Sequence, residues 1–210
     1  MTLIIGAMHD ELEVVLSHLK NKEKLNTKTE AYRGFFAAKE VVVAITGVGK
    51  VNSSMSLSEL LSLYSFEIIV NIGLAGGTSN YEIGDLIFIT NAIQYDYDLT
   101  HFGYKRGEVP KYVPYQPITK ENYLNLKEGL LYTQDKFQSG ALDVSKPYLV
   151  DMEGAALFMV AKRYNANLVS IKYISDHVES DSQAEQYKQS EKKSGKNIIY
   201  EFLEKYLKGR

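Results

Sequence analysis

Short apolar runs alternate along the chain with segments whose apolar residues recur at helical spacing. The runs are rich in β-branched residues and do not alternate strictly with polar ones, which is typical of strands buried on both faces. They lie at Leu3–Ile5, Val41–Ile45, Ile68–Ile72, Leu86–Thr90, Tyr148–Val150 and Leu168–Ile174. The alternation predicts an α/β fold with a largely parallel sheet, in which ligands bind beyond the carboxyl ends of the strands.

Four segments carry apolar residues at positions i, i+3, i+4 and i+7, and each forms one apolar stripe that we expect to pack on the sheet. The quartets are Leu12/Val15/Leu16/Leu19, Leu57/Leu60/Leu61/Tyr64, Leu157/Val160/Ala161/Tyr164 and Ile199/Phe202/Leu203/Tyr206. Two stretches lack these periods. We expect the polar segment Asn21–Arg33 to link the first helix to a strand. Residues 95–120 hold three of the four prolines, and so long a loop is typically functional or interfacial.

Length and composition narrow the class of protein. The 210 residues, 45% hydrophobic and 24% charged, predict a single globular domain over residues 1–210. The absence of cysteine excludes disulfides and thiolate metal sites. A net charge of −2 gives no overall attraction to nucleic acid or to an anionic membrane, so we expect neither as a partner. The chain has neither a long apolar run nor a start typical of a secretory signal, and we expect it in the cytoplasm.

The glycine-rich segments do not match known nucleotide-binding loops. Residues 46–50 (TGVGK) fail as a P-loop, because the first motif glycine would fall at Ala44 and Val51 replaces the magnesium-binding Ser or Thr. Residues 73–77 (GLAGG) lack the spacing of a dinucleotide-binding turn. The histidines show no metal-ligand spacing, and no GxSxG motif of a serine hydrolase occurs. We therefore expect no P-loop nucleotide, dinucleotide, metal or serine-hydrolase chemistry.

Acidic residues follow three of the predicted strands. Asp10 and Glu13 match the N-cap and N3 positions of the first helix, and Asp151 can cap the helix that follows it. A separate cap signal, Ser182-x-x-Glu185, starts a later helix. The acids left without a capping role are Glu11, Glu153 and Asp176. For Glu11, in the first turn of its helix, we expect the helix dipole to favour the ionised form.

Three carboxylates at the carboxyl ends of one parallel sheet should converge on one crevice. A cleft of low dielectric that holds several acids separates their pKa values, which provides one general acid and one general base. That arrangement suits cleavage of a glycosidic bond through an oxocarbenium-like transition state. From the residues alone, the prediction stops at this class of reaction.

At these motifs the sequence resembles the 5′-methylthioadenosine/S-adenosylhomocysteine nucleosidases, within the nucleoside phosphorylase superfamily. Four blocks carry the resemblance, namely residues 4–11 (IIGAMHDE), 47–51 (GVGKV) with 71–77 (NIGLAGG), 100–104 (THFGY) onward to Pro110, and 150–153 (VDME) with 174–176 (ISD). The resemblance implies a three-layer α/β/α fold around a central mixed, partly barrel-like sheet, usually assembled as a homodimer. It also implies irreversible hydrolysis of the adenine–ribose bond of a small nucleoside, without metal or cofactor.

The resemblance also assigns roles by position. Glu11 would activate the attacking water, and Asp176, held by Ser175, would protonate adenine N7. Glu153 would bind the ribose hydroxyls, with Met152 packed beneath the sugar. The remaining substrate-binding residues that it implies are Met8, Val48, Ala75, Gly76, Gln138 and Phe137, on which adenine would stack. Residues Phe102, Tyr104 and Pro110, here called the lid residues, would reach across the dimer to cover the 5′-alkylthio group.

Some positions depart from the family pattern, and three alternatives stay open. Leu74 stands where these nucleosidases usually carry Ser, Gln138 replaces an apolar residue, and Lys172 replaces an Arg. The aromatic residue that closes the site late in the chain is Tyr187, to within one residue. The NIGLAGG block also resembles futalosine hydrolases. A phosphorolytic purine nucleoside phosphorylase would need an arginine-lined phosphate site, and the glycine-rich blocks contain no arginine. A non-catalytic nucleoside-binding protein is the alternative from another class.

Overall fold

The computed structural model describes residues 1–110, 122 and 124–209, with the backbone alone at 193 and 194. This part of the chain contains nine strands and five α-helices. The strands are β1 (Thr2–Gly6), β2 (Lys20–Lys24), β3 (Glu30–Phe36), β4 (Lys39–Ile45), β5 (Ile68–Gly77), β6 (Leu86–Gln94), β7 (Lys127–Thr133), β8 (Leu149–Asp151) and β9 (Leu168–His177). The helices are α1 (His9–Ser17), α2 (Lys50–Leu63), α3 (Gly154–Arg163), α4 (Gln183–Gln189) and α5 (Gly195–Lys208). A π-helical segment, Ser190–Ser194, joins α4 to α5, and a short 3₁₀ helix covers Thr100–Phe102.

The strands form one mixed sheet that closes on itself over part of its length. Its order is β2-β3-β4-β1-β5-β8-β7-β6-β9, and a further pairing of β5 with β9 closes five strands into a barrel. β1 runs parallel to β4 and β5, whereas β8 runs antiparallel to β5 and β6 runs antiparallel to β9. The mixed, partly barrel-like sheet implied by the resemblance is confirmed. The largely parallel sheet expected from the apolar pattern alone is wrong, since β3 pairs antiparallel with both β2 and β4, β8 pairs antiparallel with β5, and β6 pairs antiparallel with β9.

Helices cover both faces of the sheet, because successive side chains of β1 pack in two different apolar clusters. Leu3 and Ile5 pack in the cluster that contains the apolar stripes of α2 and α3. Ile4 points to the opposite face and packs in the cluster formed with α1 and α5. The three-layer α/β/α arrangement follows. The predicted stripes pack as expected except at Tyr164, which is 44% exposed. Within the described residues, no helix has the length and apolar character that crossing a membrane requires.

Of the two polar stretches, the structure corrects the expectation for residues 21–33 and describes residues 95–120 only in part. Residues 21–33 do not form a linker, because most of them belong to an antiparallel hairpin in which β2 pairs with β3. Every residue of β2 is exposed, so this edge strand carries no apolar signal. Of the long loop at residues 95–120, the part from 111 to 120 lies outside the described residues.

Candidate active site

One cleft brings together the three acids that sequence analysis left without a capping role. It lies where the β1–α1 turn, β5, the β8–α3 turn and β9 meet, and its volume is about 590 Å³ including its open mouth. Ligand sites are typically concave clefts in which a few polar groups converge among apolar side chains. All of the predicted catalytic and substrate-binding residues line it: Met8, Glu11, Val48, Ala75, Gly76, Phe137, Gln138, Met152, Glu153, Ser175 and Asp176.

Backbone N–H groups on three sides hold the carboxylate of Glu11. Its Oε2 accepts hydrogen bonds from the N–H groups of Ala7 (2.7 Å) and Met8 (3.0 Å), and its Oε1 accepts one from Leu74 (2.9 Å). Because helix α1 begins at His9 with Met8 as N-cap, Glu11 occupies N3 and itself performs the capping role. The sequence-based assignment of that role to Asp10 and Glu13 is therefore wrong.

The electrostatic setting of Glu11 also differs from the expectation. Burial raises the pKa of Glu11, and the nearby Lys172 ammonium and the three N–H donors only partly oppose this effect. The helix N-terminus thus positions the carboxylate without making it more acidic than usual. A carboxylate with a raised pKa accepts a proton from water more readily, which suits a general base.

A buried ion pair lies behind the cleft. Lys172 Nζ is 2.9 Å from Asp151 Oδ2, and both side chains are almost fully buried. Asp151 also accepts hydrogen bonds from the Thr133 hydroxyl and from the first N–H of α3, at Gly154, as predicted for a capping acid. Burial works to lower the pKa of Lys172, but the carboxylates of Asp151, Glu153 and Glu11 raise it overall. The ammonium therefore stays charged, and it partly neutralises the acids around it.

The carboxylate of Glu153 is bound by the TGVGK segment, residues 46–50, which does not match a P-loop. Its Oε1 accepts a hydrogen bond of 2.8 Å from the N–H of Gly49, which has a φ of +92° at the start of α2. Burial, followed by the neighbouring carboxylate of Asp151, raises the pKa of Glu153 to about 7. Residues 47–50 thus anchor a site carboxylate rather than a phosphate.

The sequence pattern had indicated that Asp176 lies beyond the end of its strand. In the structure it lies within β9. A β-bulge opposite Ala75 and Gly76 leaves Ser175 without a partner residue on β5, and such bulges redirect neighbouring side chains. The carboxylate is almost fully buried, with the Ser175 hydroxyl donating to Oδ1 and Gln183 Nε2 donating to Oδ2 at 2.8 Å. Two donors thus set the orientation of this carboxyl group.

Gln183 is a site residue that sequence analysis missed and that contacts a predicted catalytic acid. The cap signal at Ser182 correctly predicted a helix start and therefore placed Gln183 in the first turn of α4. The Ser182 hydroxyl makes no capping bond and instead contacts Ser180 and Gln186. Nothing in the sequence indicated that the first residue of α4 turns inward, where it is 5% exposed and lines the cleft.

Two aromatic side chains stand at the mouth of the cleft. Phe137 is 48% exposed, and its ring contacts that of Tyr187 edge-on, with centroids 5.7 Å apart. The Tyr187 hydroxyl donates to Glu191 Oε1 at 3.2 Å and lies 3.9 Å from Met8 Sδ. Burial and the carboxylates of Glu191 and Glu11 raise the pKa of Tyr187, so the hydroxyl stays protonated. An exposed ring at a cleft mouth can stack on a flat base.

The lid residues do not line the cleft of their own chain. Phe102 is 73% exposed, Tyr104 is 38% exposed, and Pro110 is partly exposed. Of the positions that depart from the family pattern, Leu74 and Gln138 line the cleft, whereas Lys172 lies behind it.

The cleft is rich in acids and poor in cations. Among its described lining residues, Lys136 is the one cationic side chain, against four carboxylates. Within the same described part of the chain, no group of three or more His, Asp or Glu residues is arranged to hold a metal ion. The arrangement can stabilise a positive charge that develops on a bound sugar, and it can exchange protons with a base and with water.

Comparison with known proteins identifies the family. The sequence profile of the Phosphorylase superfamily matches residues 2–208. A 5′-methylthioadenosine/S-adenosylhomocysteine nucleosidase of Halalkalibacterium halodurans is 34% identical across 82% of this chain and 84% of its own. One from Buchnera aphidicola is 34% identical across 86% of each chain. The Streptococcus pneumoniae nucleosidase, solved with the transition-state inhibitor MT-ImmA, superposes with a TM-score of 0.86 at 26% identity, covering 99% of each chain. The chain belongs to the Phosphorylase superfamily and, within it, to the 5′-methylthioadenosine/S-adenosylhomocysteine nucleosidases.

Proposed function

We propose that this protein is a nucleosidase that hydrolyses the N-glycosidic bond of 5′-methylthioadenosine and S-adenosylhomocysteine and releases adenine. The observation that carries the proposal is the placement of Glu11, Glu153 and Asp176 around one cleft. The relatives named for this activity support it, as does the structural neighbour that holds a transition-state inhibitor.

In the proposed mechanism, Asp176 donates a proton to adenine N7 while the bond between N9 and the anomeric carbon breaks. Protonation removes the negative charge that would otherwise build up on the leaving base, and one positioned acid contributes about 10²–10⁴-fold. Ser175 and Gln183 orient the carboxyl group for this transfer. The base stacks against Phe137 at the mouth of the cleft.

Water supplies the nucleophile in the same step. Glu11 accepts a proton from the water whose oxygen bonds to the anomeric carbon, so that the ribose, still carrying its 5-thio substituent, is released with a new hydroxyl group. Glu153 binds the ribose hydroxyls above Met152. The carboxylates stabilise the positive charge that develops on the sugar in the transition state.

Hydrolysis is favoured over phosphorolysis by the charge of the cleft. Phosphate is held best by bidentate arginine donors, and the described cleft lining contains no arginine and one lysine, Lys136. Four nearby carboxylates would repel a phosphate dianion. Water, being neutral, meets no such barrier.

We further propose that the enzyme works as a homodimer whose lid residues cover the 5′-alkylthio group in the partner's site. An ion pair between Lys50 and Asp96 (2.6 Å) places the start of the lid loop beside α2. On α2, Val51 and Met55 are each 68% exposed, and exposed apolar surface of this kind marks protein interfaces. The cytoplasmic location expected from the sequence stays a prediction.

The test compares adenine release by the wild type and by Asp176→Asn, with and without phosphate. The variant keeps the size of the side chain but cannot donate the proton, so we expect a loss of about 10²–10⁴-fold in kcat. Asp181→Asn, at an exposed position five residues later in the chain, is the matched control and should retain wild-type turnover.

Circular dichroism and thermal unfolding would establish that each variant is folded. Adenine release that requires phosphate would identify a phosphorylase instead. If the folded wild type binds the nucleoside without cleaving it, the protein is a binding protein and the proposal is wrong.

A further inference from the structure

The start of helix α2 binds two carboxylates that come from different parts of the chain. The N–H of Gly49 donates to Glu153 Oε1 at 2.8 Å, and the next N–H, that of Lys50, donates to Asp135 Oδ1 at 2.9 Å. The first N–H groups of a helix have no partner within the helix, and Gly49, as N-cap, has no side chain to supply one. The two acids are therefore held at adjacent positions of one helix end.

The side chain of Lys50 closes a ring of contacts around this helix start. Its Nζ donates to Asp96 Oδ1 at 2.6 Å and lies 3.5 Å from Asp135 Oδ2. The backbone N–H of Asp135 donates to Asp96 Oδ2 at 3.0 Å, which completes the ring. The side chain of Lys50 is 14% exposed, so solvent screens its charge less than that of a fully exposed lysine. One ammonium thus keeps two neighbouring carboxylates together.

Asp135 begins the segment that forms one wall of the cleft. Lys136, Phe137 and Gln138 follow it directly, and all three line the cleft. Because the ring of Phe137 is 48% exposed, its position depends largely on the backbone that precedes it. Lys50 itself is not among the described residues that line the cleft, so it can affect a bound base only through this segment.

We propose that Lys50 is a positioning residue that holds the base-stacking segment, residues 135–137, in register with the ribose-binding Glu153. The inference rests on the proposed hydrolysis, in which Phe137 stacks on adenine. Without the ammonium, the carboxylates of Asp96 and Asp135 repel each other at close range, and the segment moves away from α2. The ring of Phe137 then no longer lies where the base binds.

The catalytic groups do not depend on this ring of contacts. Glu11 is held by backbone N–H groups at the start of α1 and on β5, and Asp176 is held by Ser175 and Gln183. Loss of the Lys50 ammonium should therefore weaken binding of the base and leave the chemical step largely intact.

The experiment measures the Kd of adenine, together with kcat and KM for 5′-methylthioadenosine, in the wild type, Lys50→Met and Lys50→Arg. In Lys50→Met we expect Kd and KM to rise about tenfold, with kcat within about threefold of wild type, because a displaced ring loses its stacking on the base. Lys50→Arg keeps the charge and should stay within about threefold of wild type in all three quantities. Lys127→Met is the matched control, since it breaks another lysine–aspartate pair, 2.7 Å from Asp85, outside the described cleft lining, and it should change none of them.

A second variant keeps the test valid if Lys50→Met does not fold. Asp135→Ala removes the anchor of the segment but leaves Lys50 paired with Asp96, and it should also raise the Kd of adenine about tenfold. An unchanged Kd in whichever of these variants is folded would overturn the inference, as would a Lys50→Arg variant that binds adenine as weakly as Lys50→Met. A wild type that neither binds nor releases adenine would instead overturn the proposed function.

Discussion

At the scale of single residues, one buried cation interacts with several buried acids. Lys172 Nζ forms its ion pair with Asp151, and the ammonium also interacts with Glu11 and Glu153 at longer range. A lysine offers a point charge, whereas an arginine could contact two carboxylates at once through its planar fork. Burial and the Asp151 carboxylate raise the pKa of Glu153 to about 7 despite this cation, so the charge of Glu153 depends on the pH near neutrality.

This raised pKa predicts how stability changes with pH. The pKa of Glu153 is about 7 in the folded protein, compared with 4.5 for an ordinary glutamate. The folded state thus holds the proton more tightly than the unfolded chain, and this stabilising contribution is complete below pH 4.5 and is lost as the pH rises through 7. Between pH 5 and 8, the free energy of unfolding of Glu153→Gln should rise relative to the wild type by on the order of 2 kcal/mol.

Chemical denaturation at several pH values between 5 and 8 measures this difference. The glutamine can still accept the hydrogen bond from Gly49, so the packing is preserved. Glu201→Gln, at an exposed position on α5, is the control and should not alter the pH dependence. A difference between Glu153→Gln and wild type that is constant across this range would show that Glu153 ionises normally in the fold.

At the scale of elements, strand β5 shapes the cleft because it has no side chain at Gly73. A Cβ atom at Gly73 would lie 2.7 Å from Glu11 Oε1, inside the space that the carboxylate occupies. The next residue, Leu74, supplies the N–H that binds this same oxygen. The strand therefore both admits the carboxylate and holds it, and the glycine is needed for the close approach.

Gly73→Ala should consequently impair catalysis more than folding. The added methyl group pushes Glu11 away from the Leu74 N–H, and a displacement of about 1 Å can cost on the order of 10²-fold in rate. Steady-state kinetics should show a fall in kcat of about tenfold to 100-fold. In the control Gly77→Ala, the new Cβ would meet the methyl groups of Ile174 at 3.1 Å and no carboxylate, so kcat should stay near wild type. Wild-type kcat in Gly73→Ala would exclude Glu11 as the base.

Strands that are buried on both faces could be predicted from their apolar runs, whereas the exposed β2–β3 hairpin could not. Strands such as β1 and β4 are buried on both faces and were apparent as apolar runs. The hairpin of β2 and β3 escaped prediction because β2, with sequence KNKEK, is exposed throughout and depends on pairing with β3. Burial of a central strand constrains its sequence, whereas an edge strand in water is constrained little.

The site also contains residues that could be predicted from the sequence and residues that could not. Glu11, Glu153 and Asp176 were apparent because acids beside buried strands are unusual and because they stand in a recognisable sequence context. Gln183 was not apparent, since its importance arises from two distant acceptors that only the fold brings near it. The start of α1 was misplaced for a related reason. Met8 has no capping side-chain oxygen, and the bonds to Glu11 Oε2 depend on the path of the β1–α1 turn.

At the scale of the whole molecule, the cleft of one chain has an open mouth. Val48 stands at the mouth and is 43% exposed, next to the exposed apolar residues of α2. The lid residues of the same chain lie outside its cleft, with Phe102 largely exposed. A twofold dimer would cover both surfaces at once, because each chain would offer its lid to the other.

Two inactive variants mixed together should therefore regain activity. Asp176→Asn lacks the acid but carries an intact lid, and the double variant Phe102→Ala/Tyr104→Ala carries the acid without the apolar lid. A mixed dimer contains one site with both parts, so random mixing of equal amounts should restore roughly a quarter of the sites. Activity measured after mixed refolding should exceed the sum of the separate variants. If the mixture shows only that sum although mixed dimers form, each lid acts within its own chain, because an exchanged lid cannot then complete a site.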